Sequence, residues 1–299
     1  MKLKKECNHM NQSQFFNKYL ILFFITSTLF GKALKPQSDD RHVEFLTKNN
    51  KHKEYHKLTK SGLEYNIKGP AEIKIFSKAA FPKKTINKDK QFSFSIFVNE
   101  LTTSSNNLKK IDRKTFSETH PMHVYTYSAK DVVVVPSGNY KIKIYKESFL
   151  DPPILVRVIR SGRKSKKIVK EEFNTFNNFA KYTLNNINST FSPSYYILDN
   201  TNPFFLNQLS GSFEFNLRGL HEHLNKSTKI IQATLLKNGK KDALYHVLSI
   251  PHPSTTINES QKIPSKLNKI YLTSSEDNYL FHIQDYQSDL LVRINKVIE

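Results

Sequence analysis

The 299-residue sequence lacks Trp, has a single Cys and contains only eight Gly. With one cysteine, Cys7, the chain cannot form an internal disulfide, so its cores must hold without that support. The nucleophile elbow Gly-x-Ser-x-Gly, a Gly-rich phosphate loop and the zinc motif His-Glu-x-x-His are all missing from the sequence. These absences indicate a non-catalytic protein that requires no cofactor.

Acidic residues are also scarce, with 26 Asp and Glu against 46 Lys and Arg and a formal net charge of +20. This excess predicts a basic surface that meets an anionic polysaccharide, a membrane surface or an envelope protein. Only seven of the basic residues are Arg, whose bidentate fork dominates base recognition, so nucleic acid is the least favoured partner. The alternative is that the Lys- and Asn-rich composition reflects an A+T-rich coding sequence and carries no function.

Residues 1–33 have the pattern of a secretory signal peptide. Four lysines precede an apolar run over residues 19–30, and the small residues Gly31 and Ala33 precede a possible cleavage point. An uncleaved anchor is the alternative, although the uninterrupted run is shorter than the roughly 20 residues that cross a bilayer. Cleavage would remove Cys7 and exclude thiol catalysis. We therefore expect an exported protein, in the periplasm or at the cell surface.

Two polar segments lie outside the strand-like patterns. Residues 34–62 show no sustained hydrophobic period, which predicts a polar, mobile leader. Residues 163–204 are interpreted as a linker that begins with a basic run. Phe173, Phe176 and Phe179 have helical spacing, so one short helix is predicted there, either as a brace between domains or as an amphipathic contact with a membrane.

The remaining sequence predicts an all-β protein of two tandem Ig-like antiparallel β-sandwich domains, residues 63–162 and 205–299. Short alternating runs recur at roughly ten-residue spacing, as in sandwiches. Two of these runs recur with nearly the same residues: Asn139-Tyr140 and Leu155-Val156-Arg157 correspond to Asn278-Tyr279 and Leu291-Val292-Arg293. This correspondence favours duplication of one all-strand unit, each copy with its own core.

Charged residues within the repeats are the first candidates for a site. Arg157 and Arg293 recur inside apolar strands and are predicted to pair with the repeat-matched acids Glu72 and Glu214, or to face an anionic ligand. Tyr195 and Tyr196 are candidates for stacking on sugar rings, on the analogy that β-sandwiches often carry carbohydrate sites.

Histidine clusters are weaker candidates. His221 and His223 have the spacing of two ligands on one side of a strand, with His246 or His252 as a third, but they are interpreted as a surface loop. The pair His120 and His123 receives the same interpretation. No metal site is therefore predicted.

Taken together, these patterns predict an exported, non-catalytic binding or structural module of the cell envelope, for carbohydrate or another anionic component. One alternative is a hydrolytic or metal-dependent enzyme acting on envelope material. The other is a subunit of a larger envelope assembly.

Overall fold

The computed structural model of the protein describes residues 31–37, 42–84, 91–108, 110–146, 148, 152–161, 169–173, 181–186, 192–201, 203–222, 227–257, 262–284 and 288–298. Within these ranges the backbone forms strands, turns and bends and no helix, so the all-β prediction is confirmed. Accordingly, no described helix has the length and hydrophobicity to cross a membrane. The apolar run over residues 19–30 lies outside the described residues.

Twenty strands make up the described fold. The first ten are β1 (Lys32–Ala33), β2 (Val43–Lys48), β3 (Lys51–Lys57), β4 (Leu63–Pro82), β5 (Gln91–Val98), β6 (Leu101–Leu108), β7 (Ile111–Asp112), β8 (His123–Thr126), β9 (Ala129–Tyr145) and β10 (Ile154–Arg160). The second ten are β11 (Val169–Glu172), β12 (Lys181–Asn186), β13 (Ser194–Leu198), β14 (Phe204–His221), β15 (Lys229–Lys237), β16 (Lys240–Ser249), β17 (Thr255–Ile257), β18 (Ile263–Pro264), β19 (Asn268–Ile283) and β20 (Leu290–Ile298).

The two halves share one pairing scheme. In the first half the long strand β4 lies between β9 and β10, while β5 pairs with β6 and with β9. In the second half β14 lies between β19 and β20, while β15 pairs with β16 and with β19. The two Leu-Val-Arg segments therefore occupy corresponding strands, β10 and β20. Their partners in the long strand differ, however: Arg157 lies opposite Phe76 of β4, and Arg293 lies opposite Asn216 of β14.

The halves are joined by a parallel strand pair, which the sequence analysis did not predict. Residues 131–134 of β9 pair with Leu244–Val247 of β16, so hydrogen bonds run from one half into the other. The sheet is therefore mixed and continuous across both halves, which corrects the prediction that the strands pair in antiparallel fashion throughout.

Strands β9 and β16 form a wall between two cores. Because side chains alternate across a strand, Val132 and Val134 pack in the core of the second half, while Val133 and Val135 pack in that of the first. Leu248 of β16 likewise belongs to the first core, whereas its neighbour Val247 belongs to the second. A run of four valines suits such a strand, because both of its faces are buried.

Both polar segments contain strands. Within the predicted mobile leader, β2 and β3 form an antiparallel hairpin, and His56 of β3 also lies opposite Val156 of β10. Within the predicted linker, β11 and β13 pair with β20, and β12 pairs with β13 and β17. Residues 174–180, the centre of the predicted helix, lie outside the described residues, and its described end, Lys181–Leu184, is strand.

Candidate anion-binding cleft

A cleft of about 550 Å³ opens on the first half, where the β2–β3 hairpin meets β4 and β10. Each strand contributes residues two positions apart, which places them on one face of the sheet. The lining side chains are Leu46 and Lys48 of β2, Lys51, Lys53 and Tyr55 of β3, Phe76 and Lys78 of β4, and Arg157 and Ile159 of β10. Asn49, Thr115 and Ser128 complete the rim.

Five basic side chains face this cleft, and the one carboxylate in contact with them is buried. Asp112 is 1% exposed and accepts hydrogen bonds from Lys48 Nζ at 2.7 Å and Thr115 Oγ1 at 2.9 Å. Its Oδ2 also lies 3.5 Å from Lys78 Nζ. Burial raises the pKa of Asp112, but the hydrogen bonds from Lys48 and Thr115 outweigh it and leave the pKa lowered, so the group is a carboxylate.

Lys51, Lys53 and Arg157 form no ion pair with any carboxylate among the described residues. Lys51 and Lys53 are exposed, and Arg157 is half-buried beside them. Partial burial lowers the pKa of Lys53, and the neighbouring charges of Arg157, Lys51 and Lys48 lower it further. The mutual repulsion of these cations would be relieved by a bound anion.

Lys78 forms the buried end of the cleft. Its side chain is 5% exposed, and its Nζ donates a hydrogen bond to the backbone oxygen of Thr126 at 2.8 Å. Burial lowers the pKa of Lys78 to about 8, although Asp112 partly offsets the effect. At neutral pH the ammonium group is therefore mostly charged, but its proton is held weakly.

The floor of the cleft is apolar and aromatic. Leu46, Tyr55 and Leu155 belong to one buried cluster, and Phe76 packs against it while remaining partly accessible. A lysine-lined rim above such a floor offers charge to an anionic group, and the accessible part of Phe76 offers an apolar contact to the carbon skeleton that carries it.

Arg157 and Arg293 do not pair with Glu72 and Glu214 as the sequence predicted. Arg157 faces the cleft, while Glu72 lies 3.2 Å from Lys74 Nζ and accepts a hydrogen bond from the Tyr271 backbone N at 3.3 Å. Arg293 Nη2 donates to Glu172 Oε2 at 3.0 Å.

Glu214 and Glu72 both accept a hydrogen bond from Tyr271. The Tyr271 hydroxyl donates to Glu214 Oε2 at 2.8 Å, and Lys269 Nζ lies 3.4 Å from the other carboxylate oxygen. The two repeat-matched acids therefore lie at the junction of the halves, each beside a lysine, and not inside separate cores.

The tyrosines proposed for sugar stacking are buried. Tyr195 and Tyr196 lie in β13 and are 3% and 2% exposed. Tyr196 packs in the core of the second half, and Tyr195 in a smaller cluster with Leu184 and Leu291. Both rings are thus enclosed by protein, so they present no face to a ligand.

The candidate histidines lie apart. His221 ends β14, is 3% exposed and lies 2.7 Å from Ser249 Oγ through Nε2, so the surface-loop interpretation was wrong. Burial, together with the charge of Lys229, lowers its pKa to about 4 and keeps the ring neutral. His246 is hydrogen-bonded to Asp131 and His252 to Thr255, while His223 lies outside the described residues.

Sequence reasoning therefore found Arg157 but missed the lysines around it. The signal was present as the alternation Lys51-x-Lys53-x-Tyr55, which is typical of a strand with one basic face. The polar composition of residues 34–62 hides this alternation. No local pattern could show that β4 and β10 bring Lys78 and Arg157 to the same place.

No known protein-family model matches this chain, and no curated protein sequence matches it. Solved structures align with it at low similarity. One is the M60 catalytic domain with two CBM51 domains of Clostridium perfringens ZmpB, with 9% identity, 90% of this chain and 37% of that chain covered, and a TM-score of 0.22.

Two further alignments cover nearly whole chains. The tandem CBM51 modules of a family 98 glycoside hydrolase from Streptococcus pneumoniae align with 11% identity over 90% of this chain and 97% of that chain, with a TM-score of 0.21. The complex of the plant peptide RALF23 with FER and LLG2 gives 13% identity, 91% and 90% coverage and a TM-score of 0.24. At these TM-scores the alignments do not establish a shared fold, so the function has to be inferred from the residues of the cleft.

Proposed function

We propose that this protein is a non-catalytic binding module that takes an anionic ligand, an acidic polysaccharide, in the cleft between the β2–β3 hairpin and strands β4 and β10. The observation that carries the proposal is the set of three basic side chains, Lys51, Lys53 and Arg157, that face the cleft without a carboxylate partner in the part of the chain that the structure describes. Asp112, the acid beside them, is already bonded to Lys48 and Thr115.

Electrostatics favours an anion over a neutral ligand at this site. Five cations surround the cleft against one buried carboxylate, and a concave site with low-dielectric walls concentrates their field. Each cation near the surface contributes on the order of 1 kcal/mol when it contacts an anionic group. Five such contacts sum to about 5 kcal/mol, which corresponds to a submillimolar dissociation constant.

The shape of the site favours a polymer chain over a flat membrane. Lys51, Lys53 and Arg157 line a concave cleft with the partly accessible Phe76 toward its floor, a shape that a narrow chain can enter and a planar surface cannot. A chain of sugar rings bearing carboxylate or sulfate groups can enter the cleft, place a ring against Phe76 and its charges on the rim.

The cellular setting of this proposal follows from the sequence. A secretory signal over residues 1–33 would deliver the protein to the periplasm or cell surface, where acidic polysaccharides are exposed. There the module would hold the protein on envelope material. As part of this proposal, each half of the chain is an Ig-like β-sandwich, and the parallel pair of β9 and β16 joins the two sandwiches.

The test compares two charge-matched double variants for binding to a polyuronate oligosaccharide. Lys51→Gln with Lys53→Gln removes two cations from the cleft, whereas Lys240→Gln with Lys241→Gln removes two exposed cations from the β15–β16 hairpin. Loss of about 1–2 kcal/mol predicts roughly tenfold weaker binding for the cleft variant and less than a twofold change for the control.

Salt and vesicles provide the remaining arms of this test. Binding should weaken steadily between 50 and 200 mM salt, because the exposed lysines are screened over about 10 Å at 0.1 M. Equal losses in the two double variants would indicate nonspecific attraction to a basic protein and contradict the proposal. Binding to anionic phospholipid vesicles that is stronger than to the oligosaccharide, and equally sensitive to the cleft variant, would reassign the site to a membrane.

A further inference from the structure

Three potential metal ligands converge outside the cleft, at the start of β2 and β8. Glu44 lies in β2, His123 begins β8, and His120 lies in the turn just before it. One ligand atom from each of the three side chains lies within 4.8 Å of the other two. The sequence alone favoured a surface loop for His120 and His123, and Glu44, 76 residues away, reaches them only in the folded chain.

A tight turn holds the two histidines together. The His123 backbone N donates to the His120 carbonyl oxygen at 3.0 Å, and the two rings stack with centroids 5.2 Å apart and planes 15° apart. Glu44 Oε1 lies 3.2 Å from His120 Nδ1. In a tetrahedral zinc site with bonds of about 2.0–2.1 Å, neighbouring ligand atoms are roughly 3.4 Å apart, so this pair already has the required spacing.

The carboxylate is oriented in the way that metal-ligating carboxylates are. Glu44 is 8% exposed, and its Oε1 also accepts a hydrogen bond from the hydroxyl of the fully buried Tyr125. Such a second contact fixes a ligand and strengthens metal binding. A carboxylate buried beside two imidazoles is otherwise costly, since its charge is removed from water with few compensating donors.

We propose that Glu44, His120 and His123 bind one divalent transition-metal ion, with Zn²⁺ as the best-suited ion. Two imidazoles and one carboxylate form a three-ligand set that zinc accepts, with a fourth position open to water or a ligand. His120 is well exposed, with 52% of its side chain accessible, so an ion can reach the site from solvent. The site is separate from the lysines of the cleft, so either proposal can fail without the other.

The experiment is a calorimetric titration of the full, metal-free chain with Zn²⁺, followed by titration with Co²⁺ read by visible absorption. We expect one equivalent to bind, and an intense tetrahedral Co²⁺ spectrum to appear and then to be displaced by Zn²⁺. His120→Ala and His123→Ala should each weaken binding at least tenfold, and Tyr125→Phe should weaken it by about 10–100-fold through the orientation of Glu44.

The control is His52→Ala, which removes an exposed imidazole bonded to Thr47 in the same hairpin and should leave zinc binding unchanged. Lower pH should weaken binding as protons compete for the histidines. The proposal is overturned if the wild-type chain binds no zinc, or if zinc binding persists in both His120→Ala and His123→Ala. Folding is checked in each variant by circular dichroism, and the exposed His120 provides the variant least able to disturb the core.

Discussion

At the scale of single residues, Lys78 is the group whose environment departs most from that of an ordinary lysine. Its ammonium group is enclosed between Thr126, Thr115 and Asp112, yet it is needed to balance that carboxylate. Burial lowers the pKa of Lys78 more than the nearby Asp112 raises it, so the pKa falls to about 8. The protonation of Lys78 therefore makes the free energy of unfolding depend on pH.

We expect Lys78→Met to remove a pH-dependent part of the stability. Below about pH 8 the lysine is protonated in both states, while between about 8 and 10.5 only the unfolded chain holds the proton. Since the unfolded state then binds more protons, stability rises with pH across this window, by roughly 3 kcal/mol at most. Urea unfolding at pH 7.5, 9 and 10.5 should show that the stability of the wild type rises relative to that of Lys78→Met, while buried tyrosines with raised pKa values, such as Tyr65 and Tyr125, affect both chains equally. The exposed-site variant Lys241→Met should keep the wild-type slope; equal slopes in Lys78→Met and the wild type would refute the assignment.

At the scale of elements, corresponding hairpins in the two halves use the same turn residue. Asn99 follows β5 and Asn238 follows β15, with φ of 54° and 49°. Each amide oxygen accepts a hydrogen bond from the facing strand, at Lys141 N and Asn278 N respectively, both at 2.9 Å. Asn tolerates this left-handed conformation better than other residues with a Cβ, which explains its use at both turns.

Asn99→Ala and Asn238→Ala should therefore each destabilise the protein by about 1–3 kcal/mol, because alanine is strained at positive φ and cannot replace the hydrogen bond. Asn99→Gly separates the two effects, since glycine relieves the strain but still lacks the amide, and should cost less than Asn99→Ala. Asn106→Ala, an exposed change in β6, serves as the control and should stay within about 0.5 kcal/mol. Denaturant midpoints measure all four; a cost confined to one hairpin would argue against equivalent turns.

At the scale of the whole molecule, the β9–β16 wall makes the halves interdependent. Beside it, His246 is fully buried and bridges strands of both halves: its Nε2 lies 3.1 Å from Asp131 Oδ1, and its Nδ1 lies 3.1 Å from Thr103 Oγ1. Gln232 adds a hydrogen bond to Thr103 at 2.7 Å. A buried polar network of this kind stabilises one relative placement of the strands, because each member is costly without its partners.

His246→Leu should thus destabilise the protein by about 3 kcal/mol or more, since it leaves Asp131 buried without its imidazole partner. The double variant with Asp131→Leu should recover part of that loss. Hydrogen exchange should accelerate in β4 and β9 of the first half and in β15 and β16 of the second. Faster exchange in one half alone would show that the halves unfold separately and that the wall does not couple them.

Much of the local structure could be predicted from the sequence, and the candidate cleft could not. The repeated Asn-Tyr and Leu-Val-Arg segments predicted corresponding strands, which the structure contains. The β2–β3 hairpin was missed because its polar residues mask the period of two. Tyr195 and Tyr196 were misplaced because an aromatic residue in a strand has the same sequence pattern whether its face is buried or open.

By itself, the sequence determined the all-β character, the repeated strand pairs and the strong positive charge. These properties depend on residue type and on short spacings, which local sterics and hydrophobic periodicity control. Only the tertiary structure decided that Lys78 and Arg157 meet Lys51 and Lys53, that Glu44 reaches His120 and His123, and that β9 pairs with β16. Such contacts depend on the order of strands in the sheet, which is set by the packing of distant segments and leaves no mark on local patterns.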